Sequence, residues 1–497
     1  MSPENNNRHI DKPSGFRDFY PEDFQKVRFI LDTMRRISQK FGYVEYHSPA
    51  VELRQLFELK SGEDIVGEMF ELVSRSDQDL VLIPELTPSL SRMLAEMQLK
   101  YSKPIRWFSL PKCYRDETLQ RGRVKEFWQY NIDILGVEEV YADAEIITIL
   151  VKVINECGLT KDQFVVLIND REFMQAYFEA IGISDFLRYF RALDKKDKIV
   201  QEKIQEVLKD VYDEGEARSI AITIRHATEL DESIFEAIPR IHETEAIVRD
   251  FPNFRKKALV ENFQSLGATQ GQAEKLYQLA TLRGSPTSFL KKAEKLFPEK
   301  EAAKKALENL RQLAILLKGA GIADFIEYDG SLARGLDYYT GIIFEAWSRD
   351  KLLPRAIAGG GRYDDLVSTL GGQPLPGTGF GFGDTVLLEL LEEFKVKIPE
   401  EANCDIYIAP IKILDSKIIL DLAMSLREEG FRVIQNSFDW KIKRHFENAE
   451  KQGVKWMIII GKKDLSNNQL TLRNIISGEQ EKIPLDKAVS SLKERIK

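Results

Sequence analysis

Residues 106–136 read RWFSLPKCYRDETLQRGRVKEFWQYNIDILG. This pattern predicts a strand, a polar loop and a returning strand. Residues two or four apart on a strand face the same side, which puts Arg115 with Glu117, and Gln129 with Asp133, on common faces. We therefore predict a hairpin that carries its polar side chains on one surface and organises the sheet around it.

The loop of this hairpin holds Arg121 and Arg123 on either side of Gly122. Arginine binds phosphate oxygens as a planar fork. The loop is therefore cationic, while the returning strand carries acidic and amide groups. This arrangement suits a ligand with phosphate at one end and an amine or imidazole at the other. A hairpin with a solvated charged loop explains the same spacing, so on spacing alone both interpretations stay open.

The segments before and after the hairpin predict a main domain of the α+β class. Residues 22–41 carry apolar side chains at helical spacing, and residues 86–98 also read as helical. A long helix followed by short strands and loops is typical of a mainly antiparallel sheet. Strands are predicted at residues 43–46, 105–110, 129–135, 164–168, 325–328 and 342–347, and a short apolar segment at 79–83 ends at Pro84.

Two changes of composition divide the chain. Residues 184–320 are dense in Lys, Glu, Ala and Leu at helical spacing, which predicts a helical insertion. A polar linker near 395–403 precedes strands that alternate with helices, which predict a small α/β domain with a largely parallel sheet. The expected organisation is a body in two parts, 1–183 and 321–398, around the insertion, and a C-terminal domain at 399–497.

The amino-acid composition indicates which broad class of protein this is. The 497 residues are 43% hydrophobic and 30% charged, typical of a globular protein with a sizeable core. No apolar run is long enough to span a membrane, and no secretory signal is visible. Cys113, Cys157 and Cys404 are far apart and form neither a disulfide framework nor a zinc motif. These features favour a cytoplasmic protein with no membrane partner and no protein-bound metal cluster.

Five segments together resemble the histidyl-tRNA synthetase family of class II aminoacyl-tRNA synthetases. The hairpin at 106–136 resembles motif 2, and GYVEYHSPAVE at 42–52 resembles motif 1. PELTPSLSR at 84–92 matches the family's Pro-Glu-x-Thr turn. LARGLDYYTGIIFE at 332–345 and IAGGGRYDDLVSTLGG at 357–372 resemble its histidine signature and the Gly-rich segment that follows. The resemblance covers essentially the whole chain.

The resemblance implies a catalytic core of class II type, a helical insertion and a C-terminal α/β anticodon-binding domain. It also implies the roles of the histidine site. The Glu85–Thr87 turn would hold the ammonium group, Asp133 and Tyr339 would bracket the imidazole, and Gln129 would lie near the carboxylate. The complete implied set for histidine is Glu85, Leu86, Thr87, Arg115, Gln129, Asp133, Arg334, Tyr338, Tyr339 and Tyr363.

The resemblance likewise implies the ATP site. Arg115 would clamp the α-phosphate with Arg334 opposite it, and Phe127 would stack on adenine. Glu117, Arg121 and Arg123 would frame the nucleotide. Arg115, Arg334 and Gln129 would form the catalytic set, and Mg²⁺ would help to offset the repulsion between the histidine carboxylate and ATP. The implied partners are L-histidine, ATP, tRNA(His) and a second copy of the chain in a homodimer.

Two positions depart from the family pattern. Val386 stands where motif 3 normally has an arginine for the γ-phosphate, and Ile83 precedes Pro84 where many relatives carry arginine. Each lost charge-assisted contact typically costs about 1.5–3 kcal/mol. The alternative is a catalytically inactive, synthetase-like regulatory subunit of the ATP phosphoribosyltransferase type. Retention of Arg115, Asp133 and Arg334 favours the enzyme.

The C-terminal domain carries a candidate tRNA-binding surface. Residues 401–497 carry 17 Lys+Arg and 14 Asp+Glu, a balance of +3 on a chain whose net charge is -8. Lys441, Lys443, Arg444 and Lys451 could contact anticodon phosphates, while a solvated helix face explains the same residues.

Overall fold

The computed structural model describes residues 10–59, 63–75, 77–209, 212–226, 250–296, 301–333, 338–350, 353, 355–399, 404–412, 416–436 and 440–496. The chain forms two compact units, which divide between Ile398 and Pro399. The boundaries of the helical insertion and of the two parts of the body stay a prediction.

The first unit contains thirteen strands among the described residues. They are β1 (Val44–Glu45), β2 (Val51–Leu53), β3 (Glu71–Leu72), β4 (Leu80–Leu82), β5 (Ile105–Ser109), β6 (Lys112–Tyr114), β7 (Glu126–Leu135), β8 (Phe164–Asp170), β9 (Arg283–Gly284), β10 (Ile326–Asp329), β11 (Ile342–Ser348), β12 (Ala358–Arg362) and β13 (Gly377–Gly383). The helices with described bounds are Pro21–Lys40, Arg54–Glu58, Glu63–Gly67, Thr87–Met97, Tyr141–Glu156, Arg171–Ala180, Phe186–Asp194, Lys196–Leu208, Glu214–His226, Phe251–Ser265, Gln270–Thr281, Pro286–Leu296, Glu301–Gly319, Leu366–Thr369 and Asp384–Glu393.

The main sheet has the strand order β1-β5-β7-β13-β12-β11-β8-β10-β9, with β6 paired to β7. The pairs β1–β5 and β8–β10 are parallel, and the other described pairs are antiparallel. This confirms the predicted mainly antiparallel sheet. The strands β2, β4 and β3 form a small separate sheet.

Helices cover the sheet because their apolar residues fall on one face. In the helix Pro21–Lys40, the residues Val27, Ile30, Met34 and Ile37 recur at helical spacing and are buried. The helix Tyr141–Glu156 packs against β7, β12 and β13. Residues 129–135 of β7 are all buried, so the centre of the sheet is a well-packed support for polar side chains.

Residues 184–320 are helical wherever the structure describes them, apart from connecting turns and β9. The helical character predicted from the Lys-, Glu-, Ala- and Leu-rich composition is therefore confirmed. The strand β9 joins the edge of the main sheet through an antiparallel pair with β10.

The second unit carries a sheet of order β15-β14-β16-β17-β18. Its strands are β14 (Ile406–Ile411), β15 (Val433–Gln435), β16 (Trp456–Gly461), β17 (Gln469–Asn474) and β18 (Gln480–Pro484), and its helices are Ser416–Glu428, Ile442–Lys451, Lys462–Ser466 and Ala488–Ile496.

The prediction of a largely parallel sheet in this unit was wrong. The strand β14 pairs in parallel with β15 and β16, but β16–β17 and β17–β18 are antiparallel. A tight turn joins β17 to β18: Gly478 has a φ of +75°, and the Asn474 side chain accepts hydrogen bonds from the backbone of Ile476 and Ser477. A turn this short forces the two strands to run antiparallel.

Candidate active site

A cavity of about 380 Å³ opens on one face of the main sheet. The β6–β7 hairpin, the start of the helix Thr87–Met97, and the strands β11, β12 and β13 contribute its walls. The lining side chains that carry polar or aromatic groups are Glu85, Thr87, Arg115, Glu117, Arg123, Phe127, Gln129, Asn131, Tyr338, Tyr339, Glu345, Trp347, Arg355, Tyr363, Phe380 and Thr385.

The floor of the cavity is a row of polar side chains on one face of β7. Gln129 Nε2 donates to Asn131 Oδ1 at 2.6 Å, and Asn131 Nδ2 donates to Thr87 Oγ1 at 3.2 Å. All three residues are buried, so each lost hydrogen bond would leave an unsatisfied polar group. The chain of bonds fixes the orientation of the Gln129 amide that faces the cavity.

The alternating glycines of β13 keep this floor open. Gly379 is paired with Asp133 across the sheet, and Gly381 with Asn131. A Cβ at Gly379 would lie 2.1 Å from Asp133 Oδ1, and one at Gly381 would lie 3.3 Å from Gln129 Nε2. The sequence GTGFGFG therefore leaves room for a ligand where side chains would otherwise fill the space.

Asp133 lies beneath the cavity and is completely buried. Its Oδ1 accepts a hydrogen bond from the Tyr363 hydroxyl at 2.5 Å. Its Oδ2 has no hydrogen-bond partner within the described residues. Burial raises the pKa of this carboxyl to about 7, and the bond from Tyr363 acts in the opposite direction. The unpartnered Oδ2 leaves one oxygen of this carboxyl open to a hydrogen bond from a ligand.

Aromatic rings and a second buried carboxylate enclose the same end of the cavity. The Tyr338 ring lies 4.8 Å from that of Tyr339 and 6.0 Å, edge-on, from that of Tyr363. The Tyr338 hydroxyl donates to Glu85 Oε2 at 3.2 Å. This end thus combines flat apolar walls with acceptors at Glu85 and Asp133, which suits a small cationic or N–H-bearing ligand.

The other end of the cavity is cationic. The Arg115 guanidinium lies 5.4 Å from the centre of the Phe127 ring, and its Nε donates to the Pro84 carbonyl at 3.0 Å. These contacts hold the guanidinium between β6 and the turn that contains Glu85. Arg115 therefore lies between the acidic end of the cavity and the open hairpin loop.

The hairpin loop closes this end with an ion pair. Arg123 Nε lies 2.8 Å from Glu117 Oε2. Burial raises the pKa of Glu117, while the charges of Arg123 and Arg115 lower it. Gly122, with a φ of +78°, makes the turn that brings Gln120 and Arg123 together.

Three of the predicted site residues that the structure describes, Arg121, Leu86 and Asp133, do not lie on the cavity surface. Arg121 is exposed and forms ion pairs with Glu389 at 3.2 Å and Glu393 at 2.7 Å. Leu86 is fully buried beneath the cavity wall. Arg334 lies outside the residues that the structure describes.

Several lining residues were not assigned from the sequence. Asn131 was visible as a polar residue on the same face of the strand as Gln129 and Asp133. Glu345 ends the segment 332–345 and Arg355 lies two residues before the segment 357–372, but neither residue was singled out within or beside these segments. Val386 lines the cavity and is 7% exposed, so the position where an arginine was expected does face this space.

The described residues contain no cluster of three or more side chains that could hold a metal ion by themselves. Besides Glu85 at the acidic end, the carboxylates of Glu117 and Glu345 line the cavity. In nucleotide sites Mg²⁺ takes one or two carboxylates and completes its coordination with phosphates and water. These two carboxylates fit an ion that arrives with a nucleotide.

Two further observations bear on the class of protein. None of the helices in the described part of the chain combines the length and the apolar character that a membrane crossing requires. Cys113 is fully buried, and burial raises the pKa of its thiol to about 12. A thiol with that pKa is a poor nucleophile near neutral pH.

Comparison with known families identifies both units. The model of the family described as Histidyl-tRNA synthetase matches residues 15–250 and 201–384. The model described as Anticodon binding domain matches residues 405–495.

Individual relatives match this chain over nearly its full length. The histidine–tRNA ligase of Pyrococcus furiosus is 33% identical over 489 residues, which cover 98% of this chain and 100% of that protein. The histidine–tRNA ligase of Thermoplasma volcanium is 30% identical over 483 residues, which cover 97% of this chain and 98% of that protein.

Solved structures share the fold. Histidyl-tRNA synthetase from Nostoc sp. PCC 7120 matches with a TM-score of 0.72 at 22% identity, over 98% of this chain and 99% of that one. A protein from Bacillus halodurans C, titled as an ATP phosphoribosyltransferase regulatory subunit/histidyl-tRNA synthetase, matches with a TM-score of 0.66 at 21% identity, over 91% of this chain and 98% of that one. At such low identity these two likenesses show the fold alone. The family match and the full-length relatives decide the classification: this chain belongs to the histidyl-tRNA synthetase family.

Proposed function

We propose that this protein is a histidine–tRNA ligase, which activates L-histidine with ATP and transfers it to tRNA(His). The observation that carries the proposal is the cavity itself. It places buried acceptors and aromatic walls beside Arg115, Phe127 and the basic hairpin loop. The relatives that span 97–98% of the chain under the name histidine–tRNA ligase support the same activity.

The acidic end of the cavity would hold histidine. Glu85 and Thr87 would bind the ammonium group, and Gln129 would lie near the carboxylate. Asp133, through its unpartnered Oδ2, would accept a hydrogen bond from one imidazole nitrogen, while the Tyr339 hydroxyl would face the other. Tyr338 and Tyr363 would pack against the ring.

The cationic end would hold ATP. Phe127 would stack on adenine, and Arg115 would bind the α-phosphate, since its guanidinium lies between the two ends of the cavity. The Glu117–Arg123 pair would frame the nucleotide. Arg334 would approach the α-phosphate from the opposite side, and this role rests on the family resemblance.

The proposed reaction proceeds in two steps. A carboxylate oxygen of histidine attacks the α-phosphorus, the bond from that phosphorus to the bridging oxygen breaks, and pyrophosphate leaves. The guanidinium groups offset charge that grows in the transition state. A terminal ribose hydroxyl of tRNA(His) then attacks the activated carbonyl, and AMP leaves.

Mg²⁺ would enter with ATP and be held by the phosphates together with Glu117 and Glu345. Its contribution would be to neutralise charge on the phosphate oxygens. The residues of the chain would still have to position the carboxylate and the α-phosphate, which is a task for Arg115 and Gln129.

The second unit would bind the anticodon, in keeping with its match to the anticodon-binding family. On the helix Ile442–Lys451, Lys443 is 86% exposed. The Arg444 guanidinium lies 4.0 Å from the Trp440 ring centre. A stacked arginine beside an aromatic ring suits single-stranded RNA, because bases stack and phosphates pair there.

We also propose a homodimer that acts in the cytoplasm. The segment that resembles motif 1 leaves apolar side chains in solvent: Val44 is 62% exposed, Val51 37% and Leu53 45%. An apolar strand edge of this kind fits an interface between copies. Sedimentation of the purified protein tests it: a dimer is expected, and Val44→Glu should weaken it.

Histidine-dependent exchange of pyrophosphate into ATP, measured on the intact protein with each amino acid in turn, tests the proposed function. Exchange with histidine alone is expected. Failure to exchange with any amino acid would favour the regulatory-subunit alternative.

A further inference from the structure

The ATP end of the cavity lacks one expected charge. Val386 lines the cavity with an apolar side chain, where motif 3 of the family normally presents an arginine to the γ-phosphate. ATP brings several negative charges into this space. If the chain activates histidine with ATP, as proposed above, another cation has to meet the terminal phosphates.

Arg355 reaches the same part of the cavity from a different segment. It precedes β12 and lines the cavity together with Val386 and Gly122. A Cβ placed on Gly122 would lie 3.5 Å from Val386 Cγ2 and 4.0 Å from Arg355 Cδ. The arginine at 355 and the valine at 386 therefore both lie against the turn of the hairpin loop.

The other two cations of the described cavity lining already have partners. Arg123 is paired with Glu117 at 2.8 Å. Arg115 is held by the Pro84 carbonyl at 3.0 Å and lies against Phe127, nearer to the acidic end. To bind the terminal phosphates, either arginine would have to leave the position that its own proposed role requires.

The Arg355 guanidinium is held less strongly than those of Arg115 and Arg123. Within the described residues it has no ion pair with a carboxylate. With the Gln120 amide turned so that its oxygen faces the two guanidiniums, that oxygen accepts from Arg123 Nε at 3.0 Å and Arg355 Nη2 at 3.1 Å. A neutral amide oxygen is readily exchanged for a phosphate oxygen, since hydrogen bonds between ionised partners are stronger.

We propose that Arg355 binds the terminal phosphates of ATP and supplies the charge that Val386 lacks. The planar guanidinium would leave Gln120 and form a fork with phosphate oxygens. In this arrangement the hairpin loop and the segment before β12 together replace the motif 3 arginine.

The test compares ATP with AMP, which lacks the terminal phosphates. For the intact enzyme and Arg355→Ala, the KM for ATP and for histidine is measured by pyrophosphate exchange, and the affinity for AMP by calorimetry. Loss of a charge-assisted contact predicts that the KM for ATP rises by about tenfold to a hundredfold, while AMP affinity and the KM for histidine stay unchanged. An unchanged KM for ATP would overturn the proposal, as would an equal loss of AMP binding.

Arg349→Ala is the matched control. Arg349 is close in sequence but pairs with Glu327 at 2.7 Å away from the cavity lining, so its KM for ATP should equal that of the parent. If the parent protein itself shows no exchange, the proposed function fails rather than the role of Arg355.

A double variant tests whether the two positions serve one site. In Arg355→Ala/Val386→Arg, the new arginine should lower the KM for ATP back toward the parental value. Circular dichroism and thermal melting verify that the variant is folded. A folded double variant with the KM of Arg355→Ala would show that position 386 does not reach these phosphates and would contradict the shared site.

Discussion

The two ends of the cavity are built from different parts of the fold. At the acidic end, Asp133, Asn131 and Gln129 project from a strand buried in the middle of the sheet, and hydrogen bonds fix their side chains. At the cationic end, Arg123 and Arg355 come from a hairpin loop and from the segment before β12. The acidic end keeps the family's Glu85, Gln129 and Asp133, while the cationic end departs from the family pattern at Val386 in the helix Asp384–Glu393. A charge that one segment of the cationic end lacks can be supplied by another segment, whereas a buried strand leaves little freedom.

The largest effect is expected where the two ends meet. Arg115→Ala should slow histidine-dependent exchange by about a thousandfold, because the guanidinium acts on charge that develops in the transition state. Histidine affinity, measured by calorimetry, should fall far less than the exchange rate, because Glu85, Gln129 and Asp133 remain. Arg115→Lys keeps the charge without the fork and should lose less. Exchange by Arg115→Ala at a rate close to the parent's would remove this residue from the catalytic set.

A second variant separates the acidic end from the cationic end. Gly379→Ala places a methyl group within 2.1 Å of Asp133 Oδ1, so histidine affinity should fall by about a hundredfold while ATP affinity is kept. Gly271→Ala is the matched control, because a Cβ there meets nothing within 4 Å and the helix Gln270–Thr281 should gain slightly in stability. Normal histidine affinity in Gly379→Ala would show that the floor is not where histidine binds.

Asp133→Asn keeps the shape of the acidic end and removes its charge. Histidine affinity should fall by about tenfold to a hundredfold, which is the cost of a lost charge-assisted hydrogen bond. Equal histidine affinity in the two proteins would contradict the contact with imidazole.

The same variant makes a prediction about pH. The folded-state pKa of Asp133 is raised from 3.8 to about 7, so the native state binds more protons than the unfolded state between these values. The stabilising contribution of the protonated carboxyl is complete below about pH 4 and is lost as the pH rises through about 7. The parent therefore loses stability between pH 4 and pH 8, whereas Asp133→Asn does not. The thermal midpoint of the variant minus that of the parent should increase over this range. A constant difference would show that the carboxyl does not titrate in this range.

The smallest effect is expected outside the cavity. Arg444→Ala in the second unit should raise the KM for tRNA(His) by roughly fivefold, in line with the loss of one exposed charge, and should reduce the salt dependence of charging. Pyrophosphate exchange, which needs no tRNA, should be unchanged. A fall in exchange would mean that the helix Ile442–Lys451 acts on the cavity rather than on tRNA alone.

Much of the fold could be predicted because local patterns agreed with it. The helix predicted at 22–41 is Pro21–Lys40, and the strand predicted at 129–135 is the end of β7. The row of Gln129 and Asp133 on one face followed from strand geometry alone. The resemblance to a family then assigned residues that do line one cavity, among them Glu85, Arg115 and Phe127.

The rest depended on contacts between distant segments. Arg121 was expected at the nucleotide, but Glu389 and Glu393 on a helix far along the chain hold it outside the cavity. Arg355 lies just before the Gly-rich segment 357–372, but only the folded chain brings it against Gly122. Strand direction in the second unit was set by the short turn at Gly478, which alternation of strands and helices did not reveal.

A crystal structure of the intact protein with histidine and a non-hydrolysable ATP analogue tests the central claim most directly. We expect both ligands in the one cavity, with the imidazole on Asp133, the histidine carboxylate next to the α-phosphorus, and Arg115 in contact with the α-phosphate. Ligands in separate sites, or a histidine whose imidazole points away from Asp133, would contradict it.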